Sequence, residues 1–479
     1  MRKTIISLII LIVLGTMVFA FENPSFPPFQ SMNLFGRYST SLYDFSTNPA
    51  FFKNTYTEDF VYYRASADEY LNQFRRAYDP KRQQDYEISF LSVKQISEKV
   101  SLASSIQYNR TYIWDLSRSL EKNFYSEYFS YVDTTTGATV FSGPQIRFLY
   151  NYAPTKRILL GFDIHYGVEQ GLKDVYTQCE TIARNSEIRG GIGYVSRDQK
   201  TSVGISGGYQ NAQRKYEAVK EAQDAFVRTY FGYFVTKSEN PRSTNRKNDN
   251  QEGYEIATQI EHRDVFVRGL NLQVLAGWGE KSEFVSIGSV TQPKSLGYCL
   301  RSGRRLTGRF VYLSPNQKVG AHLFLENAHF VDWGEAEEFH VRFMDNEQIS
   351  NQVEIAGEMR PIKWFFSQIG GALERISDDY REYNSDFRYR KNRRNISGFV
   401  ELQARFNPVL CGRIRATLSD EEPYFYWNTD KLKTTRIVGS VERLFTFGII
   451  GLDVNFEKLQ PDDVTDVNYL FGAAVNYRK

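Results

Sequence analysis

Five histidines, His165, His262, His322, His329 and His340, are the first places to look for chemistry, and His165 has an acid, Asp163, two residues away. A serine hydrolase needs a histidine within hydrogen-bond reach of a serine and an acid that orients the ring. Residues i and i+2 of a strand point the same way but stand ~7 Å apart, so Asp163 and His165 do not by themselves make a catalytic pair. The chain has no H-E-x-x-H and no Walker loop. Gly190, Gly191 and Gly193 fall inside a strand pattern, where small residues ease curvature or close packing and do not cradle phosphate. The acidic runs Asp420-Glu421-Glu422, Asp462-Asp463 with Asp466, and Glu335 with Glu337 and Glu338 lack the spacing of a calcium loop and read as solvated outer loops. No enzyme, cofactor or metal centre is expected.

A second set of charged residues has a different context, because each alternates with apolar neighbours. Glu354, Glu358, Glu374, Glu401, Arg405, Arg413, Arg415, Arg436, Glu442, Asp453 and Glu457 all sit in period-2 runs. Their alternate positions form an apolar face, so the charges share the opposite one. Arginines there could recognise carboxylate or phosphate bidentately along a hydrated pathway. The plainer alternative is that the charges pair across strands and keep a wide barrel open.

The elements that would carry them repeat along most of the chain. At the C-terminus, VNYLFGAAVNY (467–477) alternates strictly, with Tyr469, Phe471, Val475 and Tyr477 on one face and Asn468, Gly472 and Asn476 on the other. A tilted strand of about 9–11 residues spans a bilayer, whose hydrocarbon then covers the apolar face. Comparable paired runs occur at 85–94 with 100–112, 145–152 with 159–168, 187–195 with 202–210, 254–262 with 266–278, and 305–313 with 319–326. Three more follow at 352–359 with 364–375, 396–406 with 411–418, and 435–444 with 448–457. With 59–66 in front and 467–477 behind, the expected fold is an all-β transmembrane antiparallel up-and-down barrel of about 18 strands, within a range of 14–20.

Connections within pairs are short and those between pairs long: 113–144, 212–253, 279–304, 329–351 and 377–395. That asymmetry fits short periplasmic turns and long outer loops. The 212–253 loop is expected to cap the barrel, with a short helix over 215–226; 284–290 and 296–300 either extend a loop or form a ninth hairpin. The basic run Arg390-Lys391-Asn392-Arg393-Arg394 could meet anionic outer-leaflet lipid, although a solvated loop is the favoured reading.

Residues 1–20 read as a cleaved secretory leader, with Arg2 and Lys3 before an apolar core. Losing both lowers the formal charge of +3 by two, which implies no attraction to nucleic acid. Cys179, Cys299 and Cys411 are too few and scattered for a disulfide framework, although Cys179 and Cys299 could pair. The 15% of aromatic residues, 32 Tyr and 36 Phe among them, suits interfacial girdles.

Residues 21–58 alternate poorly and form a separate N-terminal segment before the barrel at 59–479. Within it, GRYSTSLYDFSTNPAF (36–51) resembles the N-terminal hatch of fatty-acid-transporter-like outer-membrane barrels through Asn48, Pro49 and Ala50. It is also similar to the start of uncharacterised outer-membrane barrel families of the Bacteroidota. Phe51 replaces the usual following glycine, and Leu42, Tyr43 and Phe45 replace the small residues before the tripeptide. The resemblance implies a hatch or plug gating a porin-like barrel. The expectation is passage or capture of a small or medium-sized solute. Its rival is a non-transporting scaffold whose outer loops bind a secreted or surface partner. Either molecule would contact outer-membrane lipid and lipopolysaccharide, and would meet the barrel-assembly machinery through its C-terminal strand.

Overall fold

A computed structural model describes residues 42–46, 48–52, 59–119, 124–126, 128–174, 179–218, 227–232, 235–239, 246–289, 292–316, 318–337, 341–362, 364–407, 409–462 and 466–478. The expected leader and residues 21–41 lie outside them, as do His340 and the cysteine pairing, which needs the side chain of Cys179.

A short helix, α1 (Leu42–Ser46), and a 3-10 turn (Pro49–Phe51) precede the strands. The first seven are β1 (Phe60–Asn72), β2 (Arg82–Ser97), β3 (Val100–Ser119), β4 (Phe129–Tyr152), β5 (Ile158–Lys173), β6 (Cys179–Val195) and β7 (Thr201–Ala218). A small hairpin follows, β8 (Val227–Phe231) with β9 (Val235–Glu239). Then come β10 (Arg246–His262), β11 (Leu270–Ser289), β12 (Gln292–Leu313), β13 (Val319–Ala336), β14 (Val341–Ile362), β15 (Phe365–Glu382) and β16 (Phe387–Asn407). The last four are β17 (Leu410–Glu421), β18 (Leu432–Phe445), β19 (Gly448–Pro461) and β20 (Asn468–Arg478).

Every strand except β8 and β9 belongs to one antiparallel ring in which chain neighbours pair, β7 passing directly to β10. β20 closes onto β1 in a register from Tyr62–Arg478 to Asn72–Asn468. The barrel therefore has 18 strands, and closure leaves no edge strand unpaired in lipid. Its outer face carries the apolar positions: Ile88, Ile106, Phe148, Phe162, Ile192, Ile205, Ile256, Ile355, Ile369, Val400, Leu418, Leu452 and Val475 are exposed large hydrophobic residues. In water such a belt would be an aggregation surface, whereas hydrocarbon covers it. This is a membrane-spanning barrel of the outer-membrane type.

The expected long loops are corrected. The barrel strands run 11 to 24 residues, most of them well beyond the ~9–11 that span a bilayer. β11 ends at Ser289 and β12 starts at Gln292, and β15 and β16 are separated by 383–386 only. Residues 284–289 and 296–300 thus continue β11 and β12 and form no ninth hairpin. Lys215 to Ala218 are strand, which replaces the start of the expected helix, and 219–226 lie outside the described residues. The basic run 390–394 belongs to β16, Asp420 and Glu421 to β17, and Glu335 to β13. Above the membrane, the outer connections are extended wall.

Candidate functional site

The lumen is filled at two levels with a polar space between them. At the lower level, residues 42–46 and 48–52 lie against the inner wall. Asn48 and Ala50 are fully buried and Phe51 nearly so. Asn48 caps the 3-10 turn, its side chain accepting from the Ala50 amide at 2.9 Å, with Pro49 in the first turn where its missing N–H costs nothing. Asn151 on β4 donates through Nδ2 to the carbonyls of Pro49 (2.9 Å) and Ala50 (2.7 Å), and Asn48 Nδ2 donates to the Ile205 carbonyl on β7 (3.3 Å).

This close approach requires a wall without side chains. A methyl group at Gly161 would overlap Pro49, one at Gly191 would overlap Asn48 Oδ1, and ones at Gly193 and Gly204 would fall 2.9 and 2.6 Å from the Phe51 ring. Three consecutive strands, β5, β6 and β7, therefore present glycines inward where the tripeptide sits. On the far side, Arg309 of β12 stacks over Phe45 at 4.7 Å and donates to Gln273 Oε1 at 2.6 Å. The segment thus crosses from β4–β7 towards β12.

Above it lies a chamber of about 420 Å³, lined by Ser105, Gln107, Gln145, Arg147, Asp163, His165, Glu187 and Arg189. Arg147 forks onto Asp163, with Nε at 2.9 Å and Nη2 at 2.5 Å, and the same Nη2 reaches the Tyr43 hydroxyl at 3.1 Å. The chamber's principal ion pair is therefore tied to the segment below. Arg189 bridges Glu187 (2.9 Å) and Glu255 (2.5 Å). The Asp163 carboxylate is turned to Arg147, which leaves it unsuited to orient His165. Donors and acceptors of both signs converge here, an arrangement that suits a polar solute.

The other predicted lumen charges lie on the opposite arc. Glu401 on β16 pairs with Arg413 (2.7 Å) and Arg415 (3.6 Å) on β17, and Arg436 pairs with Glu457 at 3.4 Å. Asp453 accepts from Asn476 Nδ2 at 3.0 Å, while Arg405 and Glu442 face inward beside Cys411, their cross-strand partner in the ladder. These residues form a cross-strand ladder along β16–β20, away from the chamber.

The cap expected of 212–253 falls at the upper level through β8 and β9, but its partners in β4 and after β17 went unread in the sequence. The first residues of β4 leave the wall: Phe129–Asp133 pair with Phe231–Val227 of β8, which pairs in turn with β9. Around the ring β4 and β14 stand eight places apart among 18, nearly opposite, yet the rings of Phe129 and Phe343 are 5.2 Å apart. The flap therefore spans the mouth. It packs with Val285, Leu296, Met344 and Tyr380, and with Tyr424 and Phe425 from the connection after β17. Tyr426 and Trp427, next in that connection, take Arg76 over their rings at 5.1 and 4.8 Å, and Arg76 lies 3.9 Å over Tyr125. Burial pushes the Tyr125 and Tyr389 hydroxyls up to about 12. The signal available in the sequence was Tyr424-Phe425-Tyr426-Trp427, four consecutive aromatics in a polar stretch.

A family model described as a family of unknown function (DUF6850) matches residues 49–433. The chain belongs to this family. The match to DUF6850 begins at Pro49 and includes the chamber and most of the wall. No curated protein matches the chain. Among solved structures, this DUF6850 member is similar to the outer membrane transporter YddB from Escherichia coli, at 6% identity and a TM-score of 0.43 over 88% of this chain and 81% of that one. It is also similar to BauA, the ferric preacinetobactin receptor from Acinetobacter baumannii, at 6% identity and a TM-score of 0.40 over 88% and 80%.

Proposed function

We propose that this protein resides in the outer membrane of a Gram-negative cell and passes or captures a small or medium-sized polar solute, with residues 21–58 as the gate. The observation that carries this reading is the seat of Asn48, Pro49 and Ala50 on the glycine wall, directly beneath a chamber lined by both signs of charge. The Arg147 contact with Tyr43 supports coupling between the two, since a solute carboxylate or phosphate competing for Arg147 would loosen the hold on the segment. Export follows from cleavage of the leader at 1–20, and membrane insertion from engagement of β20 by the assembly machinery.

Single-channel conductance in a planar bilayer tests this, comparing the mature protein with a variant lacking 21–57. Current that appears or rises on deletion is expected. The aromatic roof favours a second reading, a closed scaffold that binds a secreted or surface partner through its outer wall. Stable insertion without current in either protein would select the scaffold.

A further inference from the structure

Above the apolar belt, the outer face of β15–β16 carries an unusual density of arginine. Along β16 the outward positions from 406 up to 396 are Phe406, Ala404, Leu402, Val400, Gly398 and Ile396, eleven residues of chain and about one bilayer span. The next outward positions are Arg394, Asn392, Arg390 and Arg388, all exposed. On β15 the same level holds Arg375, Ser377, Asp379 and Arg381.

The register makes this costly by itself. Arg375 lies directly opposite Arg394, and Arg381 directly opposite Arg388. Like charges directly across a ladder destabilise it. Asp379 is the one carboxylate on the outward face of these two extensions, and it already holds Arg388 at 2.9 Å and Arg390 at 3.8 Å. The acids beside the patch are engaged too: Glu347 with His329 at 2.8 Å, Asp345 with Arg342 and the Tyr383 hydroxyl, and Glu422 with the Arg394 amide at 3.2 Å.

We propose that this face binds the phosphates of a lipopolysaccharide molecule in the outer leaflet, whose acyl chains lie over Ile369, Ile396 and Val400. Charge complementarity selects a multiply phosphorylated partner, because the opposed pair Arg375 and Arg394 presents forks at one level and Arg381 presents another at the level where Arg388 is held by Asp379. The apolar belt directly beneath selects a lipid over a soluble phosphate. The inference rests on the outer-membrane placement proposed above and is independent of what the lumen passes.

Native mass spectrometry of the full mature protein in detergent tests it, using purified lipopolysaccharide, the same lipid enzymatically dephosphorylated, and inorganic phosphate. The expected result is retention of the phosphorylated lipid, at least tenfold weaker retention of the dephosphorylated form, and a comparable loss in an Arg375→Gln/Arg381→Gln/Arg394→Gln variant. Equal retention of both lipids by the unsubstituted protein overturns the proposal without reference to any variant. Competition by inorganic phosphate at the concentration of the lipid would reassign the patch to free phosphate. Conductance separates the two proposals: a protein that inserts but ignores phosphorylation refutes this one alone, whereas one that never inserts refutes the membrane placement itself.

Discussion

The N-terminal segment, a floor, and the flap, a roof, stand in the lumen of the same barrel and are held by different means. The floor is one short segment held by a handful of side-chain hydrogen bonds and by the absence of side chains at Gly161, Gly191, Gly193 and Gly204. It shares no strand ladder with the wall. The roof is built from the wall itself: β4 bends inward, β8 extends it by a five-residue ladder, and Phe129, Phe231, Phe343 and Tyr380 are fully or almost fully buried. Removing the floor breaks contacts local to one segment, while removing the roof unpacks an aromatic core shared by β4, β8 and β11–β16. That difference makes the floor the better candidate for a gate.

The largest effect that could break this comparison is Phe343→Ala. Truncating a buried Phe typically costs about 3–5 kcal/mol, and Phe343 touches both Phe129 and Phe231. Urea unfolding of the refolded barrel should show a loss of that size. A change under about 1 kcal/mol would mean that the roof is not a cooperative core. Asn151→Ala comes next. It removes the side-chain donor of the Ala50 carbonyl in a buried site, at a cost of about 1–3 kcal/mol, while the Pro49 carbonyl keeps the Phe52 amide. The loss should fall on docking of the floor, read as faster proteolysis near residue 50 while the unfolding midpoint of the wall holds. Gly191→Ala sharpens the same point through sterics, since its methyl overlaps Asn48. Higher conductance with an intact barrel is expected, and an unchanged, fully protected segment would contradict the glycine seat.

How far these regions were legible follows from what constrains each residue. All 18 barrel strands were readable because hydrocarbon demands an apolar residue at every second position, as in β20 or in Ile396–Phe406 of β16. Above the belt neither face meets hydrocarbon, so the 387–395 stretch of β16, with arginine on both faces, resembles a loop although it is strand. Resemblance singled out Asn48, Pro49 and Ala50, but nothing in the sequence pointed to their seat. Gly190, Gly191 and Gly193 suggested curvature or close packing, and a strand pattern cannot reveal what packs close, because that partner is some 140 residues away in the chain. The ladder formed by Glu401 with Arg413 and Arg415 was visible as alternating charge. The chamber was not, because Arg147 and Arg189 meet Asp163 and Glu255 only through register and closure.

The smallest expected effect separates roof from floor by pH. Tyr125 and Tyr389 lie in the outer closure, outside the membrane, and burial raises both hydroxyls from 10 to about 12; burial also raises Tyr426 beside Arg76. A group whose folded pKa lies above its unfolded value contributes stability that is fully present below the unfolded pKa. That contribution is lost as pH rises towards the folded value, because the unfolded state gives up its proton first. Roof stability should therefore be flat up to about pH 10 and decline between about 10 and 12. Fluorescence of Trp427, which stacks on Phe74 at 5.6 Å, reports the change, with proteolysis near residue 50 as the control for the floor. If both regions loosened together over that window, the two closures would be one cooperative unit, and the floor could not open while the roof stays packed.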